Sequence, residues 1–87
     1  MTTTATASYA ENAARVEQAL RKAFPQDTIA LSEGYQGRVH AKVVSSRFNG
    51  LSEREKQALI WEVLQAEMGA EAQVVSLAMV WGTDELA

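Results

Sequence analysis

Two Ser-x-x-Glu tetrads, Ser8–Glu11 and Ser52–Glu55, each stand directly before a run of helical periodicity. In such a capping box the Ser hydroxyl accepts the N–H three residues on, and the Glu carboxylate turns back to the Ser N–H. Two donors that would lack partners are satisfied, and a helix start is fixed. The first helix is predicted from Tyr9 to Phe24. Ala13, Val16, Leu20, Ala23 and Phe24 form its apolar stripe, and Arg15, Glu17, Gln18, Arg21 and Lys22 lie opposite. Pro25 lacks an N–H and disfavours helix at the residue before it, so the helix stops there. The second helix runs from Ser52 to Gly69, with Ile60, Leu64 and Met68 in one row. Ala58, Leu59, Trp61 and Val63 widen its apolar arc, which predicts a helix sandwiched between a sheet and the first helix.

The remaining segments read as strands. Asp27–Glu33 is a short one, and Gly34-Tyr35-Gln36-Gly37 is a turn. In Arg38–Ser45, Val39, Ala41 and Val43 point one way, while Arg38, His40, Lys42 and Val44 point the other. That alternation describes a half-buried strand of an antiparallel pair. Val74–Trp81 is the most apolar strand and is expected inside the sheet. Thr/Ala-rich Met1–Ala7 reads as a disordered tail, residues 8–82 as one domain, and residues 83–87 as an acidic tail. The order is α-β-β-α-β, an α+β fold. Its two helices cover one face of a three-stranded sheet and leave the other face open.

At 87 residues the chain is one small domain. With no cysteine it is stapled by no disulfide and offers no thiolate nucleophile or ligand. Apolar packing must hold it, and 47% hydrophobic residues supply that. No charged-then-apolar leader and no long apolar run are present, so a cytoplasmic protein without membrane contact is expected, monomeric or weakly dimeric. No Ser/His/Asp set or paired carboxylates emerge, so no catalytic activity is expected. The net charge of −3 argues against a dedicated nucleic-acid binder. The charge is uneven, however: no acid occurs from Gly34 to Ser52.

Arg38, His40, Lys42, Arg47 and Lys56 are candidates for a basic patch that meets phosphate or an acidic partner, against the plainer reading of a solvated strand face. Asn49, Gly50 and Ser52 belong to the adjoining loop. His40 is the only imidazole, and one imidazole does not make a metal site. Gly34–Gly37 spells GxxG, but between two strands it reads as a hairpin turn and not as a nucleic-acid clamp. Trp61, in a helical arc, reads as core. Trp81, at a strand end, fits burial or exposure equally.

Val43-Val44-Ser45-Ser46-Arg47-Phe48-Asn49-Gly50-Leu51-Ser52, followed by Lys56, Ile60-Trp61 and Leu64, resembles the central signature of the BolA-like family. The resemblance spans about Ile29 to Glu85 and implies a fold similar to the type II KH arrangement. It further implies a non-enzymatic adaptor that binds a monothiol glutaredoxin and shares a [2Fe–2S] cluster with it in iron–sulfur trafficking or redox regulation. Some members are DNA-binding transcriptional regulators in the stress response. The alternative it implies is therefore a KH-like nucleic-acid binder that uses Arg38–Ser52. Val75 stands where the family carries its near-invariant His ligand, and a valine has no lone pair to give. The Gly34–Gly37 turn holds neither the His nor the Cys that serves as second ligand, and Arg38 falls where many members have His. The resemblance thus implies docking with His-type cluster ligation weak or absent.

Overall fold

The computed structural model describes residues 8–86; the tail expected over Met1–Ala7 lies outside them. Helix α1 (Tyr9–Ala23) opens on the complete Ser8–Glu11 capping box, and α2 (Glu53–Met68) on the complete Ser52–Glu55 box. Strands β1 (Thr28–Glu33), β2 (Val39–Val44) and β3 (Val75–Trp81) form one mixed sheet in the order β1-β2-β3. β1 pairs antiparallel with β2, and β3 pairs parallel with β2. The element order is α-β-β-α-β, an α+β fold with both helices against one sheet face.

Two expectations about packing are corrected. The central strand is β2, and β3 lies at an edge. A parallel strand needs a crossover, and α2 with the short turn after it carries the chain across to β3. β3 is apolar because both of its faces are: Val75, Ala78 and Val80 are buried in the core, while Leu77, Met79 and Trp81 alternate away from it. Nor is α2 sandwiched. The helices lie side by side, α1 over β1 and β2 and α2 over β3, and they touch along their length. The wide arc of α2 is therefore only partly covered. Ile60 and Leu64 are fully buried, while Leu59, Trp61, Val63 and Met68 pack at the margin.

The core joins Val16, Leu20 and Phe24 of the first helical segment to Val39, Ala41 and Val43 of β2, Ile60 and Leu64 of α2, and Val75, Ala78 and Val80 of β3. Phe48 closes one end of it. Its ring stacks on Phe24 with centroids 5.5 Å apart, and both rings are essentially inaccessible. Truncating either ring would cost about 3–5 kcal/mol. The free side of β3 is partly closed by Gln57, whose Nε2 donates to the Ala78 carbonyl at 2.9 Å, while Trp61 Nε1 donates to Gln57 Oε1. That contact shortens the exposed edge that an unpaired strand presents.

Candidate protein-docking surface

Sheet pairing decides which side chains share the uncovered face. Directly opposed residues point the same way, so three cross-strand rows form: Ser32–His40–Leu77, Ala30–Lys42–Met79 and Thr28–Val44–Trp81. None of these positions carries an acid, although the chain has eleven Asp and Glu residues in all. Lys42 Nζ lies 5.1 Å from the centre of the Trp81 ring, a cation–π contact that holds both over the sheet. Trp81 is half-buried and Lys42 exposed. Leu77 is 44% exposed, a large apolar side chain standing on a strand in solvent. Arg38, one residue before β2, is exposed and continues the alternation of His40 and Lys42.

His40 is half-buried. Its ring is held where Gly34 and Ser76 converge: a Cβ on Gly34 would stand 2.7 Å from His40 Nε2 and 3.0 Å from Ser76 Oγ. Only glycine leaves the imidazole room there. A register irregularity between Val39 and His40 lets Val75 pair with Val39 and Leu77 with His40, so Ser76 is the extra residue. Val75 consequently turns into the core at 4% exposure, and Ser76 is exposed beside the imidazole.

The other candidate residues make contacts within the chain, Lys56 from a buried position and Arg47, Asn49, Gly50 and Ser52 from exposed ones. Lys56, expected at the surface, is 1% exposed. Its ammonium is held 2.7 Å from Glu53 Oε2 and 2.8 Å from both carboxylate oxygens of Glu85. The hydrogen bonds it donates to Glu53 and then to Glu85 raise its pKa, outweighing the burial that would lower it. Glu85 is held below its ordinary value, first by Lys56 and then by the Gly82 N–H, which donates to it at 2.7 Å. Within the stretch expected as an acidic tail, residues Thr83–Glu85 wind into one 3₁₀ turn. Asn49 Oδ1 accepts the Asp84 N–H and its Nδ2 donates to Thr83 Oγ1, while the Gly50 N–H donates to Asp84 Oδ2. Carboxylates beside a lysine and a free backbone N–H satisfy both better than solvent-facing separation would, and the end of the chain docks for that reason.

Arg47 likewise has an internal task. Its guanidinium lies 4.7 Å from the Phe24 ring centre and donates to the Ala23 carbonyl at 2.9 Å, satisfying an acceptor at the end of α1. Ser52 serves as the cap of α2. Of the eight residues expected to bind a partner, Arg38, His40 and Lys42 remain on the uncovered face. Arg47, Asn49, Gly50, Ser52 and Lys56 build the loop and its clasp. Leu77 and Met79 were not among the candidates. The alternation of Leu77, Met79 and Trp81 against Val75, Ala78 and Val80 was the available signal, but the bulge at Ser76 breaks its period.

Among the described residues no cluster of three or more His, Cys, Asp or Glu is placed to hold a metal ion, and no helix is long and apolar enough to cross a membrane. Comparison of the chain with protein-family models, with curated proteins and with solved structures returns no match.

Proposed function

We propose that the chain is a non-enzymatic adaptor of the BolA-like kind, cytoplasmic, whose partner is a monothiol glutaredoxin in iron–sulfur trafficking. The observation that carries this reading is where the signature residues lie. Val43 and Val44 end β2, Ser45 and Phe48 bound the 3₁₀ turn Ser46–Phe48, and Ile60-Trp61 and Leu64 sit on α2, within the element order the resemblance implies. The Asn49–Ser52 loop, which the nucleic-acid alternative needs for phosphate, has its polar groups engaged by Thr83, Asp84 and the α2 cap. That favours a protein partner.

The residues present do not fit a [2Fe–2S] ligand set. Val75 faces the core, Gly34–Gly37 carries no His or Cys, and His40 is a single imidazole packed on Gly34. The cluster on this reading is cargo held by the partner's own ligands. The test is to mix the chain with a cluster-loaded monothiol glutaredoxin and follow elution volume and visible spectrum together. The expected result is an earlier-eluting complex whose spectrum stays close to that of the glutaredoxin alone. Unchanged elution at tens of micromolar overturns the reading.

A further inference from the structure

We infer that the uncovered sheet face docks an acidic segment of a partner protein, with Arg38 and Lys42 meeting its carboxylates and Leu77, Met79 and Trp81 meeting its apolar side chains. The inference rests on the adaptor reading and gives it a place and a chemistry. Charge complementarity selects the occupant. The strand positions of this face carry Lys42 and no acid, and Arg38 stands exposed one residue before β2, in a chain whose net charge is −3. Arg38 and Lys42 attract an acidic segment to this acid-free face.

The apolar content of the face separates a protein segment from nucleic acid. Single-stranded nucleic acid is held by stacking bases on several exposed aromatic rings along a cationic track. Here the strand positions hold Trp81, half-buried with Lys42 over it, and the imidazole of His40, half-buried against Gly34. The rest of the β3 row is Leu77 and Met79, which suit aliphatic or aromatic side chains of a protein. Lys42 serves both parts, because its ammonium lies 5.1 Å from the indole centre on an exposed side chain, open to a carboxylate as well.

The test is a titration of the ¹⁵N-labelled full chain, followed by its amide resonances. The probe is a synthetic peptide of alternating glutamate and leucine, compared with an equal-length lysine–leucine peptide and with oligothymidine. The expected result is shifts concentrated in β2 and β3 with the acidic peptide, weakened by roughly tenfold or more in Lys42→Glu and also weakened in Leu77→Ser. Both are surface changes, and thermal melts confirm that each variant is folded. Equal binding of the two peptides, tighter binding of oligothymidine, or shifts centred away from the sheet overturns the inference. The glutaredoxin mixture keeps the two readings apart. If glutaredoxin binds the parent and both variants equally, the adaptor stands and this surface falls. If the acidic peptide binds at the face and glutaredoxin does not, the surface stands and the named partner falls.

Discussion

Lys56 Nζ lies 2.8 Å from each carboxylate oxygen of Glu85, a residue 29 positions away in sequence, and the lysine is sealed from solvent. This pair ties the first turn of α2 to the 3₁₀ turn that follows β3. Glu85 has a folded pKa below its unfolded one, so its contribution is present above the unfolded value and is lost as pH falls through the folded value. Lys56 has a raised pKa, so its contribution is present below the unfolded value and is lost only as pH rises through the folded one, above the ordinary lysine range. Glu85→Gln should therefore lower the melting temperature at neutral pH. Its deficit against the parent should shrink as pH falls below the usual carboxylate range near ~4. A deficit that stays constant through the acid range contradicts the assignment.

Val75 pairs with Val39 and faces the core at 4% exposure, while its neighbour Ser76 is exposed. Val75→His would bury an imidazole without a partner and should cost about 2–3 kcal/mol by urea unfolding. Ser76→His should stay within about 0.5 kcal/mol of the parent. Equal stability of the two variants would show that the register irregularity is misplaced.

Much of the fold was legible because local rules and tertiary packing agree. Both capping boxes, the helix stop at Pro25 and the Val39–Ala41–Val43 alternation depend on neighbours in sequence, and each folds as its local chemistry dictates. What was not legible depends on partners far along the chain. Lys56 reads as a surface cation until Glu85 arrives beside it. Asn49 and Gly50 read as a free loop until Thr83 and Asp84 take their hydrogen bonds. β3 reads as a central strand because continuous apolar character means burial on both faces, yet Leu77, Met79 and Trp81 cover a face that no helix reaches. Arg38 and Lys42 were found as candidates because alternation alone sets their side.

Gly82 is buried where the clasp closes, and a Cβ there would stand 2.5 Å from Asn49 Oδ1 and from Asp84 Oδ1 and 3.0 Å from the Asn49 Cα. The backbone atom cannot swing aside as a side chain can. Gly82→Ala should cost about 1–3 kcal/mol. It should also speed amide exchange at Gly50 and Asp84, whose N–H groups are bonded across the clasp. Unchanged exchange at both would separate the substitution from the clasp.

Ser52 caps α2, its hydroxyl accepting the Glu55 N–H at 3.1 Å. Ser52→Ala should cost about 1 kcal/mol of stability and leave partner affinity unchanged once folded. A selective loss of affinity would return this loop to the binding surface.

On the adaptor reading proposed above, the chain meets a glutaredoxin through its uncovered sheet face. The most direct measurement is sedimentation velocity of cluster-loaded monothiol glutaredoxin, followed at a visible wavelength, with the parent chain and with Lys42→Glu. The predicted result is a faster-sedimenting coloured species with the parent and a complex weakened by roughly tenfold with the variant. A coloured boundary that sediments as glutaredoxin alone in the presence of the parent chain contradicts the adaptor reading.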